Sequence, residues 1–203
     1  MAVDLVVCVA TELEGALLRG RVPFLRTGVG AVNAAHALTR FLEREGALAV
    51  VVCGVGGAYP GAGLAIGDVV SAEEECYGDL GADSPEGFLD MKALGLPVVD
   101  GPAPLHNSLP MQLFPVARRA RFVTVNTCTG RLDVARSLAA RTGGAVESME
   151  GAAIAHVAHL HGVPAGEVRG ISNLAGDRDR RAWRLREAAA AAQEALLAWL
   201  ATR

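Results

Sequence analysis

Between Gly143 and Asp179 the chain reads GGAVESMEGAAIAHVAHLHGVPAGEVRGISNLAGDRD, and this stretch constrains the fold most. A short strand gives way at Glu147-Ser148-Met149-Glu150 to a helix-like run from Glu150 to Leu160. Ile154, Val157 and Leu160 recur at i, i+3 and i+6, one apolar face. Gly162 suits a C-cap and Pro164 bars continuation. Val168 and Ile171 then suit a second strand, Glu167 to Ser172, which runs out at Ser172-Asn173. Strand, helix and strand in succession imply an α/β architecture with a mostly parallel sheet. Ligands in such sheets bind at the carboxyl ends of strands. The two polar clusters, Glu147 to Glu150 and Ser172 to Asp177, are therefore expected to face one pocket.

The rest of the chain repeats the pattern. Val3 to Val9 is a near-continuous apolar run, as a parallel strand buried on both faces requires. It ends in Ala10-Thr11-Glu12-Leu13-Glu14. Thr11 and Glu14 have the spacing of a capping box for a short helix. A carboxylate at a strand end can equally serve as a general base. Val22 to Arg26 suits one strand. Thr27-Gly28-Val29-Gly30-Ala31-Val32-Asn33 then makes a tight turn into a helix over Ala31–Glu45, a place where an anion can be cradled. A dinucleotide fingerprint is not completed, because Asn33 stands where its last glycine would be. Leu48 to Val52 reads as another buried strand, ending in glycines 54, 56 and 57 that let a ligand approach the backbone. Ile66 to Val70 reads as a strand opened by a turn, with Asp68 structural. Residues 78–112 read as a long excursion with one helix, a lid or a subunit contact; His106, Lys92 or an arginine there could meet an acidic group. Ala120 to Cys128 is strand-like, Arg131 to Arg141 is an amphipathic helix, and Arg180 to Thr202 is an Ala-rich covering helix in which Trp183 and Trp199 are structural.

Composition narrows the function. The 203 residues suit one domain, 1–203, with a core of small aliphatics, since 51% of residues are hydrophobic and only 4% aromatic. A net charge of −3 leaves no electrostatic footprint for nucleic acid. No apolar run approaches the roughly 20 residues that span a membrane, and no charged leader precedes one, so a cytoplasmic protein is expected. Cys8, Cys53, Cys76 and Cys128 lack metal-ligand spacing and read as buried free thiols of a reducing compartment. No metal and no organic cofactor is implied.

Taken in order, ATELE, TGVGAVNAA, CGVGGAY followed by IGDVV, VESMEGAAIAH and RGISNLAGD resemble the purine-nucleoside phosphorylase and nucleosidase superfamily. Within it the pattern is most similar to the methylthioadenosine/adenosylhomocysteine nucleosidases and, closer still, to the futalosine hydrolases of menaquinone biosynthesis. The resemblance implies a three-layer α/β/α phosphorylase/hydrolase-like fold with a mixed, mostly parallel twisted sheet, a nucleoside substrate and a homo-oligomer. It implies that Met149 packs against the ribose and that Glu150 accepts its hydroxyls. Ala10 to Glu14 resembles an Ala-Met-Glu-Glu-Glu segment whose third acid is the base; Glu14 falls there and Glu12 at the first acid. CGVGGAY resembles a Thr-Gly-Ser-Ala-Gly-Gly segment beside the sugar, with Val55 in place of the serine and Gly56 next to it. Asn173 stands where adenine-specific nucleosidases place an aspartate that protonates N7. An amide hydrogen-bonds N7 and O6 instead, which implies hypoxanthine as the leaving group, and Asp177 is the other candidate acid. The implied reaction is futalosine plus water giving hypoxanthine and dehypoxanthine futalosine. The alternatives are an adenine-type nucleosidase, a phosphorylase, for which only Arg26 lies near the glycine turn, and a non-catalytic nucleoside-binding protein.

Overall fold

The computed structural model describes residues 3–112 and 114–202. Its central strands are the continuous apolar runs, which need cover on both faces. β1 (Val6–Val9) lies parallel to the first half of β3 (Val50–Ala58), with Val6 to Cys8 beside Val50 to Val52. β2 (Phe24–Arg26) extends the sheet on the other side of β1. β10 (Ala165–Leu174) runs parallel to β3 along its whole length. Side chains alternate strictly: Val6, Cys8, Val50 and Val52 point into one apolar cluster, and Val7, Val9, Val51 and Cys53 into the other. The first cluster is covered by α1 (Ala31–Arg44), through Ala34, Leu38 and Leu42, and by α3 (Gly151–Leu160). The second is covered by α4 (Leu185–Leu200), through Ala192 and Leu196. This is the three-layer arrangement that the resemblance implies.

The sheet also closes on itself, which periodicity does not announce. β10 pairs antiparallel with β4 (Val69–Tyr77), β4 pairs parallel with β8 (Arg118–Thr124), β8 with β9 (Val146–Ser148), and β9 returns antiparallel to Gly57 and Ala58 of β3. β3 can serve both circuits because it parts from β1 after Val52 and leans onto β9. Glycine permits that approach: a Cβ on Gly56 would stand 2.6 Å from Val146 Cγ1. Irregularities at Ile171/Asn173 in β10 and Ala72/Glu74 in β4 add the bending that closure needs. α2 (Leu132–Thr142) covers Cys76, Val123 and Val125 on the far side.

Several boundaries differ from the sequence expectations. The glycines after Val52 lie inside β3, because close packing there excludes side chains. Residues 11–20 form successive turns instead of a short helix. The excursion holds a hairpin, β5 (Gly81–Ser84) and β6 (Gly87–Asp90), and the short β7 (Leu109–Pro110), with no helix among its described residues. The last helix begins at Leu185, so Trp183 precedes it. Among the described residues no helix is long and apolar enough to cross a membrane.

Candidate active site

β1 delivers the chain to a set of tight turns in which Glu14 is buried, with 4% of its surface exposed. The capping-box exchange forms without a helix: the Thr11 N–H and hydroxyl donate to Glu14 Oε2 at 3.0 and 2.8 Å, and the Glu14 N–H donates to Thr11 Oγ1 at 3.4 Å. The other oxygen, Oε1, accepts the Val55 N–H at 3.0 Å. The capping and catalytic readings of Glu14 are thus compatible, since the box aims the carboxylate at β3. Gly54 makes room for it, because a Cβ there would lie 2.5 Å from Glu14 Oε1.

Glu150 sits at the start of α3 but makes no capping bond to its own helix. Its Oε1 accepts the Gly30 N–H at 3.0 Å, so the glycine turn before α1 cradles an anion that the chain itself supplies. Its Oε2 lies 3.4 Å from Nη2 of Arg169, a fully buried arginine on β10. Arg169 also donates to the Val55 carbonyl at 2.8 Å and is tightly paired with Glu167. Burial works against its charge, yet Glu167, Glu150 and Glu14 together hold its pKa well above the ordinary arginine value. Behind it stands a second acid. Glu75 of β4 and Glu167 of β10 bring oxygens to the same point beside Gly151, whose missing side chain admits both. Burial, and then the Glu167 charge, push Glu75 well above the usual carboxylate range. Glu75 therefore holds the proton of the pair, and Glu167 carries the charge that faces Arg169.

Glu14, Val55, Gly56, Met149, Glu150 and Asn173 line one cavity of about 180 Å³. The sequence placed these six together and the structure brings them together. Glu12 is not among them: it points outward, half-exposed, between Arg19 and Arg26. Asp177 is also outside, exposed and accepting the Asp179 N–H at 2.9 Å. Cys128 is not a buried thiol, because β8 ends at Thr124 and the loop beyond carries it to the cavity, 3.3 Å from Met149 Sδ. Partial desolvation against the cavity wall, and then the nearby Glu147 carboxylate, raise its pKa, which does not suit a nucleophile. Lys92 and His106 line a different cavity, of about 800 Å³, beneath the β5–β6 hairpin.

Three lining residues went unread in the sequence. Arg169 had a signal, a lone arginine inside an apolar strand, which demands buried acids as partners. Trp183, read as structural, faces the cavity from the turn before α4, and Arg178 lies over its ring at 5.1 Å. No group of His, Cys, Asp or Glu among the described residues could hold a metal ion.

Residues 11–201 match the family described as the phosphorylase superfamily. The chain is 36% identical to futalosine hydrolase of Thermus thermophilus over 186 residues, 88% of this chain and 80% of that protein. It is 39% identical to futalosine hydrolase of Streptomyces coelicolor over 182 residues, 85% of this chain and 75% of that one. Among solved structures, the methylthioadenosine/adenosylhomocysteine nucleosidase of Colwellia psychrerythraea in complex with adenine superposes with a TM-score of 0.82 at 21% identity, covering 99% of this chain and 96% of that one. Sequence match, relatives and closed-sheet architecture agree, and the chain belongs to the phosphorylase superfamily.

Proposed function

We propose that this chain is a hydrolase that splits the N-glycosidic bond of a 6-oxopurine nucleoside, futalosine in the first place, releasing hypoxanthine and dehypoxanthine futalosine for menaquinone biosynthesis. The observation that carries the reading is the Glu14 carboxylate, held by Thr11 and Val55 in the wall of the cavity that also contains Met149, Glu150 and Asn173. The curated relatives quoted above support the choice of futalosine.

In this reading Glu150 accepts the ribose hydroxyls, and Met149 packs against the sugar. Glu14 takes a proton from water as its oxygen bonds to C1′. The C1′–N9 bond breaks and its electron pair leaves with the base. Asn173 Nδ2 donates to that base, and the base takes up the proton that Glu14 received, so that hypoxanthine and a free sugar result. Arg169, 3.4 Å from Glu150 Oε2, orients that carboxylate.

The phosphorylase alternative loses support from three features. Arg26 is engaged by Glu12, the helix N-terminus at Gly30 is filled by Glu150, and Val55 has no hydroxyl to offer phosphate. We further propose that residues 1–203 act as one nucleosidase domain in a cytoplasmic homo-oligomer; light scattering behind a sizing column checks the assembly.

The test is hypoxanthine release from futalosine and from inosine, first in phosphate-free buffer and then with phosphate. Release from futalosine without phosphate, lost in Glu14→Gln, supports the hydrolase. Release that requires phosphate refutes it, and adenine release from methylthioadenosine alone would transfer the reading to the adenine-type nucleosidases.

A further inference from the structure

Arg178 is the second guanidinium in the cavity wall, and the mechanism above leaves it idle. Arg169 is committed to Glu167, Glu150 and the Val55 carbonyl. Arg178 has no ion pair or hydrogen bond among the described residues. The neighbouring acids are occupied, Asp177 by the Asp179 N–H and Asp179 by Arg181. Its stem lies flat across Gly130, where a Cβ would stand 2.6 Å from Arg178 Cγ. Its head lies over the Trp183 ring at 5.1 Å, and its charge is felt at the Cys128 thiol. A planar cation backed by an aromatic ring, with every donor free, thus borders the end of the cavity where β10 runs out.

Donor counting at that end shows what it is for. A 6-oxopurine presents two acceptors on one edge, N7 and O6, whereas adenine presents N7 and a donor amine. Asn173 can serve only one of them. The Leu174 carbonyl, 3.2 Å from Asn173 Nδ2, fixes which end of the amide is nitrogen and takes one of its two hydrogens. Asn173 Oδ1 faces the Ser172 hydroxyl at 2.9 Å. One N–H remains for two acceptors. Arginine has donors only, in a fork that matches O6 and N7.

We propose that Arg178, seated on Gly130 and Trp183, is the specificity-determining residue of the base site, donating to O6 of a 6-oxopurine and disfavouring the amine of a 6-aminopurine. The proposal rests on the nucleosidase reading above. Arg178 moves no proton; its cation faces the oxygen that gains electron density as C1′–N9 breaks.

Base binding tests this without turnover. Hypoxanthine and adenine are titrated calorimetrically into the wild type, Arg178→Ala, Arg178→Lys and Gly130→Ala. The wild type should prefer hypoxanthine. Arg178→Ala should bind hypoxanthine about 10- to 100-fold more weakly, with adenine unchanged or tighter. Gly130→Ala, which displaces the stem without touching the base, should follow it. Lysine keeps the charge but loses the fork, and should restore affinity only partly. An Arg178→Ala variant that keeps the wild-type preference, or loses both bases equally, overturns the proposal and leaves the hydrolase reading standing. A wild type that binds neither base overturns both.

Discussion

Gly54→Ala puts the position of Glu14 to the test without altering Glu14. A Cβ at residue 54 would stand 2.5 Å from Glu14 Oε1 and 3.0 Å from Arg169 Nη1. Ordinary carbon–oxygen contact begins near 3.5 Å, so the carboxylate must retreat by about 1 Å. That distance breaks its 3.0 Å bond from the Val55 N–H. A misplacement of about 1 Å at a reacting group costs on the order of 100-fold in rate, about 2.7 kcal/mol of barrier. Overpacking adds about 1–3 kcal/mol of lost stability, which thermal melts will register. The assay is hypoxanthine release from futalosine by the folded variant at substrate concentrations spanning KM. We expect kcat to fall about 100-fold with a much smaller change in KM, since Met149 and Asn173 are not among the atoms nearest the new methyl group and only the Arg169 contact to Glu150 could shift. A double-mutant cycle isolates the cause: in a Glu14→Gln background the methyl group should cost little further activity. A folded Gly54→Ala variant within threefold of the wild-type kcat would refute the assignment of Glu14 as the base.

Other perturbations probe the neighbouring groups. Glu14→Gln should lower kcat by about 10²- to 10⁴-fold, the usual contribution of a positioned base, in single-turnover measurements. Glu12→Ala and Asp177→Ala should leave kcat/KM within about threefold, because both side chains face away from the cavity; a larger loss in either would restore that residue to the site. Glu75→Gln should change how stability depends on pH. Above the ordinary value of 4.5 the unfolded chain has released this proton while the folded chain retains it. The native state therefore binds more protons, and wild-type stability falls as pH rises, by up to about 1.4 kcal/mol for each pH unit. The amide carries no proton to lose, so urea unfolding between pH 6 and 9 should show a flatter slope; an unchanged slope would place the proton elsewhere.

Most of this fold is written in local pattern. The buried runs at Val6–Val9, Val50–Val52 and Val168–Ile171 read as strands because both of their faces are covered, and α1 and α3 read as helices because their apolar residues recur at helical spacing. The closure of the sheet is not local: it depends on Glu147 of β9 meeting Gly57 across ninety positions of chain, and only the glycines that permit the approach are visible in advance. The start of α4 was misplaced for a related reason. Arg180 to Arg184 carries residues that a helix would accept, but the Arg184 N–H is claimed by the Ser172 carbonyl at 2.9 Å, and that tertiary bond holds Trp183 toward the cavity. Glu12 and Glu14 could not be ranked by spacing, since both follow the same strand. Their fates are decided by partners: Arg19 and Arg26 draw Glu12 to the surface, and the Val55 N–H draws Glu14 inward.

Those pairings give the site an electrical direction that bears on its chemistry. Four acids, Glu14, Glu75, Glu150 and Glu167, are buried around a single arginine, Arg169. The Glu75–Glu167 pair shares one proton, and the side chains of Glu14, Glu150 and Met149 lie in the cavity wall beside Arg169. Arg178, which has no ion pair among the described residues, lines the same cavity with Trp183 and Asn173, as does the buried Glu147, which is bonded to Tyr59 and Thr129. In N-glycosidic cleavage positive charge grows on C1′ and the ring oxygen while negative charge grows on the departing purine. In the reading proposed above, carboxylates at the sugar and a guanidinium at the base would stabilise that transition state more than the neutral ground state, without reorganising as the bond breaks. A nucleoside seated the other way round would set its forming cation against Arg178 and its forming anion against Glu14. On that reading the charges that would favour cleavage would also select the orientation of the substrate.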